Sequence, residues 1–208
     1  MKYSIHFFSL VFLLLNVTCS RSVQINNIEK APAVQQQDKA LADVYKPLDG
    51  RWKGRFLVME DPQPAPLGNT KLTNLTKEQA TDPRFKIAHE IEVEQIYTSE
   101  SPFFQRVQIT DYYPASGKKE VSKGVNKIQD GKMWCVVHKP NEVVIHEGST
   151  QEPSTIIWQS KQKSPLKIEY FQEAVSEKFY EIIGYGYYQN DDPKRQPKYW
   201  FYGKYERQ

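Results

Sequence analysis

The sequence predicts an all-β chain, an antiparallel up-and-down β-barrel of about eight to ten strands. Three observations predict it. From Arg51 onward apolar and polar residues alternate with period two, and helical periodicity is almost absent. Turn signals recur at Pro114-Ala115-Ser116-Gly117, Asp130-Gly131, Pro140-Asn141 and Asn190-Asp191-Asp192-Pro193, at the spacing of a meander. A single antiparallel sheet of about ten strands curls, and closure removes its exposed edges, which favours a barrel over a sandwich.

The N-terminus comes first. Met1-Lys2 precedes an apolar run from Ile5 to Leu15, broken only by His6 and Ser9 and followed by Thr18, Cys19 and Ser20. About a dozen apolar residues are too few to span a bilayer and fit the core of a secretory signal over 1–19. Thr18 and Ser20 suit a small-residue cleavage site. Cys19 also permits lipidation after cleavage before it, although the position three residues earlier is Asn16, with Leu15 one further back. Lipid anchor, simple secretion and a buried N-terminal helix stand as the three readings. The first two make the protein exported, as a periplasmic or outer-membrane lipoprotein or a secreted protein, with membrane contact only through a lipidated Cys19.

There are two cysteines, Cys19 and Cys135, so the exported chain is expected to carry no internal disulfide and to rely on burial for stability. Cys135 sits in Met133-Trp134-Cys135-Val136-Val137, a buried-strand composition with no adjacent histidine. An inert core thiol is expected, because apolar burial raises thiol pKa. The 28 basic and 25 acidic residues are interspersed, with net charge +3 and no basic stripe, which excludes a nucleic-acid partner. His89, His138 and His146 lack metal-ligand spacing and no Gly-x-Ser-x-Gly occurs, so no metal site and no catalytic residue are assigned. A small molecule or a protein remains as partner.

Residues 20–47 are polar and weakly patterned, and read as a tether with one short helix around 37–45; the single folded domain is expected over 48–208. In the first strand, 51–59, Trp52, Phe56 and Val58 share one face while Lys53 and Arg55 share the other. A long connection, 60–84, follows. Pro62, Pro64 and Pro66 forbid a regular strand there, and Thr76-Lys77-Glu78-Gln79 fits a capping box opening a helix of a turn or two before Asp82-Pro83 ends it. A connection this long is expected to lie across the barrel mouth as a lid.

The next strand, 85–97, puts Phe85, Ile87, His89, Ile91, Val93, Gln95 and Tyr97 on one face, and Lys86, Glu90, Glu92 and Glu94 on the other. A one-residue slip would invert that pattern, so its register is strongly specified. His89, Gln95 and Tyr97 among inward aliphatics are either a satisfied internal network or the polar anchors of a pocket. Further strands are expected at 103–113, 120–126, 132–138, 142–147, 154–159, 166–174, 178–188 and 199–206. After residue 165 come eight of the thirteen tyrosines, a wall that suits a flat ligand and is also simply good strand composition. On 179–188 either Phe179, Glu181, Ile183 and Tyr185 face inward, with Glu181 needing a cationic partner, or Tyr180 and Ile182 do and Glu181 is solvated. Gly184 and Gly186 on one face of that strand suggest a bulge or the close approach of another backbone or a ligand.

Two resemblances follow. Gly50-Arg51-Trp52 is similar to the opening of many calycin (lipocalin-superfamily) barrels, whose tryptophan plugs the closed end. Over 77–110, Lys77-Glu78-Gln79-Ala80, Asp82-Pro83-Arg84-Phe85, Ala88-His89, Glu94-Gln95-Ile96-Tyr97 and Pro102-Phe103-Phe104-Gln105-Arg106-Val107 resemble the T-type phycobiliprotein chromophore lyases (CpcT/CpeT). These are small β-barrels that hold an open-chain tetrapyrrole. That resemblance implies a linear tetrapyrrole (bilin) in the barrel, handed to the cysteine of an acceptor protein. It implies that His89, Gln95 and Tyr97 contact pyrrole nitrogens or propionates. Arg106 would reach a propionate only if a bulge turned it inward; by parity with Val107 and Ile109 it falls at the rim or outside.

The leading expectation is an exported, non-catalytic, calycin-like carrier of an apolar or tetrapyrrole-like small molecule, ranked first by the export signal. Its candidate contacts are His89, Gln95, Tyr97, Arg106, Glu181 and Tyr185. A bilin lyase and a filled-core interaction module of the cell envelope are the alternatives.

Overall fold

Ten strands follow one another in chain order in the computed structural model, which describes residues 23–152 and 154–208. The expected signal segment and Cys19 lie outside the described residues. The strands are β1 (Gly50–Glu60), β2 (Lys86–Ser101), β3 (Phe104–Tyr113), β4 (Lys118–Gln129), β5 (Lys132–His138), β6 (Val143–Glu152), β7 (Thr155–Lys163), β8 (Leu166–Val175), β9 (Phe179–Tyr188) and β10 (Tyr199–Arg207). Each pairs antiparallel with the next, and β1 closes on β10, so every strand has two neighbours. The closed up-and-down antiparallel barrel is therefore the fold, and the alternation along each strand is its inside and outside. Tight turns sit where the sequence marks them: Asp130 and Gly131 between β4 and β5 adopt φ of +56° and +72°, and Gly117 between β3 and β4 adopts +67°.

One end is plugged. Tyr45, Leu48, Trp52, Tyr97, Tyr180 and Tyr205 are buried together, with Ile128 and Met133 beside them. The Trp52 indole N–H donates to Leu48 O at 2.7 Å, and the Tyr45 hydroxyl donates to Lys127 O at 3.0 Å. Asp49 accepts from the Ser99 amide and hydroxyl, each at 2.8 Å, and from Gln105 at 2.9 Å. Burial works to raise the Asp49 carboxyl, yet these donors and Lys46 bring it below its usual range.

The segment read as a tether is instead packed. A 3₁₀ helix, Gln36–Leu41, and a second, Lys46–Leu48, bring Tyr45 and Leu48 into the plug. Ahead of them, Ile25 and Ile28 cover Phe104, Val125 and Val136 on the outer wall of β3, β4 and β5. The buried Lys127 ammonium donates to Asn27 O at 2.9 Å and Gln24 O at 3.3 Å.

The long connection does not lie over the mouth. Its first part pairs with the approach to β10, through Leu67 N to Lys194 O at 2.9 Å and Gln196 N to Ala65 O at 2.7 Å. Its second part carries α1 (Lys77–Ala80), whose capping box forms as expected, Thr76 N to Gln79 Oε1 at 2.8 Å. Leu72, Leu75 and Ala80 then pack with Phe85 against Ile157, Tyr170, Ile183, Trp200 and Tyr202 on the outside of the barrel. The cause is composition: β7 to β10 are apolar on both faces, so their outer face needs a cover as much as the inner face needs a core. Gln172, from the outer face of β8, clasps Leu75 by accepting from its amide at 3.1 Å and donating to its carbonyl at 3.3 Å.

Candidate functional site

Above the plug, the barrel encloses a cavity of about 270 Å³. Inward residues of successive strands line it, because alternate residues of a strand face the same side of the sheet. Ile91 and Val93 come from β2, Ile109 from β3, Val137 from β5, Val144 from β6 and Ile182 from β9. Rings come from Phe56 of β1, Tyr113 of β3, Trp158 of β7, Phe171 of β8 and Tyr205 of β10. Phe56 and Phe171 each stack on Phe201, at 5.9 and 5.3 Å between ring centroids, which fixes that side of the wall. The inward glycine pair on β9 marks a close approach: a Cβ at Gly184 would lie 2.5 Å from Tyr170 O and 2.6 Å from the Phe171 ring.

Polar groups are layered. On the floor, the Tyr97 hydroxyl donates to Gln95 Oε1 at 2.8 Å and lies 3.4 Å from the Tyr180 hydroxyl. Burial pushes the phenols of Tyr97, Tyr180 and Tyr205 up, so all three stay neutral. Midway up the wall, Glu173 of β8 stands between Ile156 and Ile182 in the ladder. Desolvation pushes its carboxyl up to about 7, with hydrogen bonding from Trp158 and Tyr180 holding the rise back. Cys135 lines the same wall, and burial together with the Glu173 charge raises its thiol strongly, which leaves it a poor nucleophile.

At the mouth the lining is charged. His146 Nε2 and Glu169 Oε2 are 3.1 Å apart, and the Tyr188 hydroxyl donates to Glu169 Oε1 at 2.8 Å. Burial alone would raise the Glu169 carboxyl; His146, Lys167 and Tyr188 bring it below its usual value. Lys167 reaches Glu142 at 3.4 Å and Glu169 at 3.6 Å, and Lys139 reaches Glu142 at 3.7 Å. Asp111 shares the lining, and burial raises its carboxyl. No cluster of three or more His, Cys, Asp or Glu side chains suited to a metal occurs among the described residues.

The six candidate residues part company. Gln95 lines the cavity, and Tyr97 lies beneath it in the plug. His89 has inward parity, but β2 pairs with β3 only from Glu92 onward, so His89 projects past the rim and is exposed in a shallow groove. Arg106 is on the outer wall, donating to the carbonyls of Ile28 and Glu29, pairing with Glu100 at 2.9 Å and covering the Phe104 ring; no bulge turns it inward. Glu181 and Tyr185 are also outside. The Tyr202 hydroxyl donates to Glu181 at 2.8 Å, and Tyr185 stacks on Tyr170 at 5.3 Å. On β9 it is Tyr180 and Ile182 that point in.

Glu173, Trp158, Asp111 and the His146–Glu169 pair are the cavity residues that sequence reasoning missed. Strand β8 alternates Glu169, Phe171, Glu173 with Tyr170, Gln172, Ala174, and both sets mix polar with apolar residues. Period two therefore says that Glu173 and Phe171 share a face, but not which face is inside.

No family model matches the chain, and no curated protein matches its sequence. Among solved structures, one described as EF1p2_mFAP2b bound to DFHBI matches 81% of this chain and 99% of its own length, at 11% identity and a TM-score of 0.40.

Proposed function

We propose that this chain is a non-catalytic binding protein that carries a small, largely apolar ligand inside the barrel. The observation that carries this reading is the cavity itself. About 270 Å³, walled by five aromatic rings and a band of aliphatics with most of its charged groups at the mouth, has the make-up of a ligand site, at the lower end of the usual range of about 300–1,000 Å³. A filled-core interaction barrel has no use for that space, because empty apolar volume costs stability. The chemistry also favours binding over catalysis: the one thiol in the wall is suppressed, and the His146–Glu169 pair is anchored by its own neighbours at the mouth.

Size speaks against a resting site for a bilin. At about 270 Å³ the cavity suits a one- or two-ring ligand and would have to widen for four rings. The motifs of residues 77–110 keep the lyase as the second reading, since Gln95 is in the wall and Tyr97 beneath it. Residues 1–19 support export, with lipidation of Cys19 as its finer form.

A fluorescence titration with the neutral probe N-phenyl-1-naphthylamine tests the carrier. Saturable one-to-one binding, lost in Val93→Trp, is expected; absence of saturable binding to the unmodified protein overturns it. Biliverdin in the same assay tests the lyase reading, for which a red-shifted, fluorescent complex is the signature.

A further inference from the structure

We infer that the cavity is built for a small organic cation, an amine carried on a ring or short chain, with the Glu173 carboxylate as its counter-ion. This rests on the carrier reading above and names the class of ligand.

The first support is an unmatched acid. Glu173 faces the cavity, and among the described residues no lysine, arginine or histidine lies within ion-pairing distance of it. Its close polar neighbours, Trp158 and Tyr180, are neutral donors. Burying a carboxylate without a counter-charge is costly, so a charge that the fold leaves unpaired in a cavity wall points to a partner from outside.

The second support is the ring set. Phe56, Trp158, Phe171 and Tyr205 line the same space, and aromatic faces attract a desolvated cation.

The third is the balance of charge along the wall. The two lysines of the lining are held by mouth carboxylates, Lys139 by Glu142 and Lys167 by Glu142 and Glu169. His146 is bonded to Glu169. Asp111 and Glu173 have no ion pair among the described residues. A ligand carboxylate entering this space meets two unpaired acids, whereas an ammonium meets two counter-ions.

Proton linkage follows from the same geometry. The groups facing Glu173 are the phenols of Tyr97, Tyr180 and Tyr205 and the thiol of Cys135, from four other strands, and these stay neutral. Toward the mouth stand Asp111, Lys139, Glu142, His146, Lys167 and Glu169. With its carboxyl near 7 when the site is empty, Glu173 loses a proton as an ammonium binds. Amine affinity therefore rises from pH 6 to pH 8.

The test is calorimetry on the purified protein with three matched probes, 2-phenylethylamine, 2-phenylethanol and phenylacetate, at pH 8. The amine is expected to bind at least about tenfold tighter than the alcohol, with phenylacetate weakest. Glu173→Gln is expected to cost the amine about 30-fold or more, the loss for one partner of a buried charge pair, and to move the alcohol less than threefold. At pH 7, amine binding in two buffers of different ionisation enthalpy should report proton release. Equal affinities, a preference for phenylacetate, or binding of N-phenyl-1-naphthylamine alone overturn the cation and leave the carrier standing. No binding by any of the four probes overturns both.

Discussion

The Arg207 guanidinium lies 4.2 Å from the centroid of the Trp52 indole, the two residues facing each other across the seam where the last strand closes on the first. Arg207 also donates to the carbonyls of Asp49 at 2.5 Å, Glu177 at 2.9 Å and Pro47 at 3.1 Å. One side chain thus ties together the seam, the 3₁₀ turn under the plug and the β8–β9 turn. Arg207→Ala is expected to lower unfolding free energy by about 1–3 kcal/mol, combining a cation–π contact with partly exposed charge-assisted bonds. Arg207→Lys should recover less than half, because an ammonium lacks the planar fork that reaches three carbonyls at once. Urea denaturation measures both, and an unchanged midpoint in the alanine variant would refute the role.

Glu173 makes stability depend on pH in a defined direction. Its folded carboxyl titrates near 7 against an ordinary value of 4.5, so between those values the folded state holds more protons than the unfolded. The contribution of this residue is neutral below about pH 4.5, turns progressively unfavourable as pH rises toward 7, and is constant above that, where both states are ionised. Glu173→Gln removes that penalty, and is expected to be more stable than the parent at pH 8 by up to about 3 kcal/mol and nearly equal at pH 4.5. Denaturation at the two pH values checks it; a difference of the same size at both would mean the carboxyl is not the cause.

Arg106 serves the outer wall. Its guanidinium holds the backbone of Ile28 and Glu29, beside the buried Ile28 side chain. Arg106→Ala should therefore raise amide hydrogen exchange around residues 26–30 by about tenfold, the loss of roughly 1.4 kcal/mol of local protection, while leaving cavity affinity within twofold. A loss of ligand binding with the N-terminal segment still protected would return Arg106 to the site.

Strand positions and barrel closure were legible because they depend on period two and on turn chemistry, both local. The first strand is expected at 51–59 and runs Gly50–Glu60; the strand expected at 132–138 is Lys132–His138. Inward and outward parity was legible on β2, where a charged face opposes an apolar one. It was not legible on β8 and β9, where Tyr170, Tyr185 and Ile183 are as apolar as Phe171, Tyr180 and Ile182 because both faces are covered. The undecided face of Glu181 and Tyr185, the unseen Glu173 and the misplaced connection share that single cause. Ile25 and Ile28 failed to betray the packed N-terminal segment for a different reason. Two isolated apolar residues in a polar stretch carry no periodicity, and what docks them is a tertiary surface assembled from β3, β4 and β5.

The outer core under the long connection gives the sharpest contrast with a lid. Trp200 stacks on Phe85 with 5.9 Å between ring centroids and meets Tyr185 at the same distance, and its indole N–H donates to Pro197 O at 2.9 Å. Lys77 of α1 sits 5.2 Å over the Tyr202 ring, and that hydroxyl holds Glu181. Removing Trp200 opens a void between connection and barrel, so Trp200→Ala is expected to cost about 3–5 kcal/mol and to speed proteolysis within 62–74. Glu181→Gln and Tyr185→Phe should leave the affinity for N-phenyl-1-naphthylamine unchanged within twofold, since neither side chain reaches the cavity. Were either of those two to abolish binding with thermal stability intact, ligand would be bound on the outer wall beneath the connection, and the interior cavity would lose its claim as the site.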